Sequence, residues 1–115
     1  MTAHSVPIPT TFIDTNDLFT SIFLEAPTFE LLQTVVTYTL TLDMMMNALR
    51  QGISTVASST KNPEAQAMFK QCLEGVGEAD ALYRENKIQE AKRRIRAAQD
   101  IFKQAGKLRS KKASA

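Results

Sequence analysis

The chain has few of the residue types from which catalytic and covalently crosslinked proteins are built. Its 115 residues include one cysteine and one histidine. Because Cys72 has no second cysteine to pair with, an intramolecular disulfide and a CxxC redox or zinc pair are both excluded. His4 lies close to Pro7 and Pro9, which prevent regular helix, so no fixed geometry is expected for it as a general base. We expect no enzyme activity, no metal and no cofactor.

Long apolar runs are absent as well. The most apolar stretch is 29–56, and threonines together with Gln33, Asp43 and Asn47 interrupt it. It therefore falls short of the roughly 18 apolar residues that a membrane-spanning helix needs. The first nine residues lack the charged and apolar regions of a signal peptide. A single cysteine suits a reducing compartment, so we expect a cytoplasmic protein with no membrane span.

What the chain does contain suits one compact helical domain. Apolar residues make up 43% of it and the formal net charge is +2, both ordinary for a globular domain. We predict an all-α fold, a small helical bundle with a C-terminal antiparallel helical hairpin. The helical domain is expected to cover residues 15–108, between a flexible N-terminal arm at 1–14 and a basic flexible tail at 109–115.

The N-terminal half predicts one short helix and one ambiguous segment. Apolar residues recur at helical spacing from Asn16, the helix can be capped by either Asn16 or Thr15, and Pro27 ends it. Over residues 36–42 apolar residues alternate with threonines, as in a strand. The segment from Phe29 to about residue 57 also forms two adjacent apolar helical faces, and it is longer than an average strand. We favour one long helix there and keep the strand as the alternative.

The C-terminal half predicts two helices joined by a short turn. Asn62 followed by Pro63 is a strong helix start, since asparagine caps and proline suits the first helical position. Asn86 can end that helix and cap the next, and Gly106 is placed where a C-terminal cap is expected. Both helices carry apolar or small residues at alternating steps of three and four, which predicts an antiparallel pair with closely approaching axes. The small residues of this seam are Gly75, Ala79, Ala91 and Ala98.

The hairpin at residues 72–105 resembles a single tetratricopeptide unit. In that motif small and large apolar residues of two helices lock the pair together. Two positions depart from it, because Gly75 stands where the motif has a large residue and Lys103 where it has proline, and no second copy occurs upstream. The resemblance implies a helical hairpin and a role in binding other proteins. The matching positions are Ala79, Leu82, Ala91, Ile95 and Ala98.

Three consecutive methionines at 44–46 are the best apolar candidates for contact with a partner. Consecutive residues point in three directions around a helix, so at least one should approach the surface. Methionine packs adaptably and is common at promiscuous binding surfaces. Filling of the core is the alternative role. The predicted partner-binding surface consists of Leu42, Met44, Met45, Met46 and Leu49.

Charge is divided unevenly along the chain. Residues 1–60 have a net charge of −4 and residues 61–115 a net charge of +6. Five basic residues occupy about one quadrant of the last helix, where they could bind an acidic partner or phosphate. Asp100 lies among them and no aromatic residue is interleaved for base stacking, so a solvated helix face is the alternative. The five are Lys92, Arg93, Arg96, Lys103 and Lys107.

These features predict a non-enzymatic protein–protein interaction subunit. It would be an adaptor or small chaperone-like protein, similar in architecture to helical proteins that hold subunits of secretion systems or other multi-subunit complexes. It would bind a partner helix, or itself as a homo-oligomer, through its apolar helical faces. The alternative is a nucleic-acid-associated subunit that uses the basic last helix.

Overall fold

A computed structural model describes residues 7–109, and this part of the chain contains five helices and no strand. The all-α fold class and the C-terminal hairpin are therefore confirmed. His4 and the rest of residues 1–6 lie outside the described residues, as does the predicted tail after residue 109. The helices are α1 (Phe12–Glu25), α2 (Glu30–Gln33), α3 (Leu42–Ser58), α4 (Pro63–Arg84) and α5 (Ile88–Arg109).

Helix α1 begins four residues earlier than the sequence predicts. Its cap is Thr11, whose Oγ1 accepts a hydrogen bond from the N–H of Asp14 at 3.1 Å. Residues 12–14, expected at the end of the arm, form the first turn instead. The reason is tertiary, because the ring of Phe12 stacks on that of Phe102 with centroids 4.5 Å apart. The spacing of apolar residues within α1 does not indicate that Phe12 has a partner in α5.

The predicted long helix from Phe29 is wrong over its threonine-rich part. Only the single turn of α2 forms there, and residues 34–41 are neither helix nor strand. The Gln33 amide holds this segment in place, donating to the Tyr38 carbonyl and accepting from the N–H of Leu40, both at 2.7 Å. A run of β-branched residues has low helix propensity. Thr41 then caps α3, accepting from the N–H of Met44 at 3.2 Å.

The turn between α4 and α5 is built around Asn86. This residue has a left-handed backbone with φ 63°, which asparagine tolerates better than most residues. The N–H of Asn86 donates to the Tyr83 carbonyl and that of Lys87 to the Leu82 carbonyl, the paired bonds of a Schellman motif. Asn86 thus ends α4 as predicted, but it does not cap α5, which starts at Ile88.

The sequence predicts two further helix caps, Asn62 and Gly106, and only the first is found. Asn62 caps α4 as predicted, its Oδ1 accepting from the N–H groups of Glu64 at 2.9 Å and Ala65 at 3.2 Å. Gly106 is not a cap, since α5 continues to Arg109. A Cβ on Gly106 would come within 3.0 Å of ring atoms of Phe12. This glycine therefore makes room for α1.

Phe102 is the centre of the core. It is fully buried on α5 and contacts three other phenylalanine rings. Besides stacking with Phe12, its ring centroid lies 5.4 Å from that of Phe19 and 5.6 Å from that of Phe69. These contacts join α1, α4 and α5, and α3 packs against both α1 and α4.

Candidate binding surfaces

The predicted apolar binding surface on α3 is mostly part of the core. Met45 is buried, and Met46 and Leu49 are completely so. Leu42 and Met44 are half-buried. Because α3 packs against α1 on one side and α4 on the other, both of its apolar faces are already covered. Met45, Met46 and Leu49 cannot contact a partner while the domain is folded, which corrects their predicted role.

Large exposed apolar side chains of the described residues lie earlier in the chain, on α1 and around α2, and Leu31 and Val35 are the most exposed of them. Leu31 is 73% exposed and Val35 is 76% exposed, and Leu24 at the end of α1 is 67% exposed. Leu31 belongs to the single turn of α2, and Val35 follows just after the end of that turn, where its N–H donates to the Leu32 carbonyl at 3.1 Å. We call this pair the α2 apolar surface. Leu31 and Val35 lie on one apolar face of the long helix predicted from Phe29, and that prediction did not show that they are exposed.

A narrow apolar groove runs beside α2. It has a volume of about 200 Å³, and its wall includes half-buried Leu18, Leu32, Val36 and Tyr38. Glu25 fixes one side of it, because its carboxylate accepts a hydrogen bond from the N–H of Leu32 at 2.9 Å. The wall is thus held by side-chain-to-backbone hydrogen bonds from α1 and, through Gln33, from α2 itself.

The basic stripe on α5 lies against α1 and meets an aromatic ring there. The guanidinium carbon of Arg96 is 4.4 Å and the Lys92 Nζ 5.4 Å from the centroid of Phe23. Lys92 also donates to the Phe23 carbonyl. No aromatic residue is interleaved among the stripe residues on α5, and the ring beside them comes from α1. No local pattern in α1 indicates that Phe23 faces α5.

The same contacts define an open cleft between α1 and α5. Two adjoining hollows of about 390 and 260 Å³ share Phe23, Arg96 and Asp100. Lys92 and Arg93 line the first, and Lys103 lines the second. We call the whole the α1–α5 cleft. The remaining basic residue of the predicted stripe, Lys107, is exposed further along α5.

An ion-pair network on the other side of the domain was not predicted. Asp80 is buried on α4, and its carboxylate accepts from Arg50 at 2.8 Å and from Arg84 at 2.9 Å. Arg84 also pairs with Asp43, and the two carboxylates raise its pKa. The network fixes α3 against α4. Only the spacing of Asp80 and Arg84, four residues apart, could have been noticed in the sequence.

Residues 7–109 contain one thiol, that of Cys72, and no cluster of metal ligands. Cys72 is completely buried, and burial raises the pKa of its thiol to about 12. No three His, Cys, Asp or Glu side chains of this range cluster so that they could hold a metal ion. None of the helices of the described part is long and apolar enough to cross a membrane.

Comparisons with known proteins return no relative for this chain. No protein-family model matches it. No curated protein and no solved structure matches it either. The resemblance of residues 72–105 to a tetratricopeptide unit therefore stays a prediction, and function has to be argued from the two surfaces described above.

Proposed function

We propose that the chain is a non-enzymatic protein–protein interaction subunit, an adaptor or small chaperone-like protein, whose main contact is the α2 apolar surface. The surface lies within the segment from Phe29 onward that the sequence singled out, although at different residues. Its partner is an apolar segment of another protein or a second copy of this chain.

The observation that carries the proposal is the exposure of Leu31 and Val35. Both side chains are about three-quarters exposed, although β-branched and leucine side chains gain about 1.5–3 kcal/mol when fully buried. Single exposed apolar residues are common, but contiguous apolar patches on soluble proteins often mark interaction sites. Here an apolar groove, lined by the neighbouring residues Leu32 and Val36, accompanies the exposure.

The groove beside α2 supplies the second element of a docking site. Its volume of about 200 Å³ suits one or two apolar side chains of a partner. The wall contains few polar groups, so a leucine or phenylalanine entering it would leave no hydrogen bond unmade. An amphipathic helix could place one residue in the groove and lay the next turn across Leu31 and Val35.

The burial of Cys72 supports a role without catalysis, since a buried thiol with a raised pKa is a poor nucleophile. The cations of the α1–α5 cleft do not line the groove beside α2, and no residue of that groove acts as a base. The proposed role therefore relies on contact area and shape.

Exchange of the exposed residues tests the proposal. The double variant Leu31→Ser with Val35→Ser should fold normally, because neither side chain is buried, and it should lose association. Ile13→Ser is the matched control, since Ile13 is 70% exposed on the first turn of α1. Association is measured by sedimentation at two concentrations and by affinity capture from the native source.

Two results would contradict the proposal. One is that the control and the double variant retain or lose association alike. The other is that the wild-type chain stays monomeric at both concentrations and captures nothing. Loss of self-association in the double variant alone identifies a second copy as the partner, and loss of a captured protein identifies a different chain.

A further inference from the structure

The basic side chains of the α1–α5 cleft form no ion pair with a carboxylate of the described residues, whereas four other basic residues of the domain do. Within residues 7–108, Arg50, Arg84, Lys87 and Arg94 each form an ion pair within 4.0 Å. No such pair forms at the cleft. The described lining of the cleft contains one acidic residue, Asp100, and four basic residues, Lys92, Arg93, Arg96 and Lys103.

Two of these cations are held in position before any ligand arrives. Arg96 lies over the Phe23 ring at 4.4 Å from the centroid, and Lys92 is tied to the Phe23 carbonyl. A guanidinium stacked on a ring keeps its N–H edge free for a carboxylate or phosphate. Positioning in advance lowers the entropy lost on binding. The cleft is therefore a prepared site for a negatively charged ligand.

We propose that the α1–α5 cleft binds an acidic stretch of polypeptide in extended conformation. Lys92 and Arg96 are one helical turn apart, about 6 Å along the axis. Alternate side chains of an extended chain point to one side and repeat every 6.6 Å or so. Carboxylates at alternate positions can thus meet Lys92 and Arg96. The inference rests on the proposed function only in taking a polypeptide as the ligand.

The geometry favours a polypeptide over single-stranded nucleic acid. Non-specific binding of single strands relies on aromatic rings with a free face for stacking. The face of Phe23 nearest the cleft cations is covered by Arg96. A phosphodiester chain also carries a charge at every unit, so it would bring a phosphate to Asp100. A polypeptide can place a neutral or hydrogen-bond-donating residue at that point.

The test uses defined probes on the full chain. A fluorescent peptide of alternating glutamate and serine is titrated at low and high salt, against the same peptide with glutamine and against oligothymidylate of equal length. Arg96→Gln with Lys103→Gln is the test variant. Lys87→Gln with Arg94→Gln is its matched control, because it removes the same charge from exposed, ion-paired positions.

The glutamate peptide should bind wild-type protein in a salt-dependent way, and the glutamine peptide should not. Loss of two cation contacts should weaken binding about tenfold in the test variant and leave the control variant close to wild type. Equal weakening in both variants would show attraction by net charge alone and would overturn the proposal. Tighter binding of oligothymidylate, with the same dependence on Arg96 and Lys103, would overturn it in favour of nucleic acid.

The outcome is separable from that of the proposed function. Failure of the peptide to bind wild-type protein, with association through Leu31 and Val35 retained, refutes the cleft proposal alone. Peptide binding that survives the Leu31→Ser and Val35→Ser changes, while association is lost, supports both surfaces as independent sites.

Discussion

Gly75 of α4 and Ala98 of α5 face each other across the hairpin, and a Cβ on Gly75 would lie 3.2 Å from that of Ala98. Ala79, Ala91 and Ala98 are all buried along the same seam. Larger side chains at this contact would hold the helix axes apart. The close approach of α4 and α5 is therefore a direct consequence of small residues at four positions.

The first prediction concerns this seam. Ala98→Leu should lower the free energy of unfolding by about 1–3 kcal/mol, because overpacking a tight contact forces helices or rotamers to shift. Ala91→Leu should act in the same direction. Ala97→Leu, one residue away but exposed, should stay near wild type. Urea denaturation of the three variants gives the comparison, and equal stability of all three would mean that the seam tolerates larger side chains.

The second prediction compares alanine substitutions at two glycines that lie within helices, Gly52 and Gly77. A Cβ on Gly52 would lie 2.6 Å from the Cγ of Pro9 and 2.8 Å from the Oγ1 of Thr15, whereas a Cβ on Gly77 meets nothing within 4 Å. Gly52→Ala should therefore destabilise the domain by about 1–2 kcal/mol. Gly77→Ala should stabilise it by about 0.5–1 kcal/mol through helix propensity. Melting temperatures that shift in the same direction would contradict this.

The third prediction concerns the buried carboxylate of Asp80. Asp80→Asn should lower stability by about 1–2 kcal/mol, since hydrogen bonds to charged groups are among the stronger ones and both arginines are partly screened by solvent. A double-mutant cycle with Arg50→Gln should yield a positive coupling energy. The exposed pair of Lys87 and Glu85 provides the control, with coupling close to zero. Coupling of equal size in the two cycles would refute a special role for Asp80.

The fourth prediction concerns alkaline pH. Burial raises the pKa of Cys72 from 9.0 to about 12 and that of Tyr83 from 10.0 to about 12. Both groups are neutral when folded, and the unfolded chain loses their protons first. Stability is therefore fully present below pH 9 and falls between about pH 9 and 12, with each group contributing at most about 1.4 kcal/mol per pH unit.

Denaturation at several alkaline pH values measures this loss. In Cys72→Ala the decline should start one pH unit later, because only Tyr83 remains to ionise in the unfolded chain. A decline of unchanged slope and onset in that variant would assign the alkaline sensitivity to other groups.

Local sequence signals were sufficient to predict the α4–α5 hairpin, the N-terminal cap of α4 and the residue at which α4 ends. The alternating spacing of small and apolar residues in α4 and α5 reflects contacts that repeat every helical turn, and Asn62 acts on N–H groups two and three residues away. Such interactions lie within a few residues of chain, so they can be read without knowing the fold. The same holds for Asn86 as a helix end, since its left-handed backbone is a local property.

The binding surfaces could not be derived in that way, because exposure is decided by partners distant in the chain. Met46 and Leu31 look equally apolar in sequence, yet one is completely buried by neighbouring helices and the other is 73% exposed. The side-chain amide of Gln33 holds the backbone of Tyr38 and Leu40 in a loop, and the helix does not continue past Gln33. Phe23 meets Arg96 across 73 residues of chain only because Phe12, Phe19 and Phe102 draw α1 onto α5. The sequence alone determined which segments become the two long helices of the hairpin, through interactions one turn apart. The tertiary structure decided which apolar and basic side chains remain open to a partner, through the packing of the helices against one another.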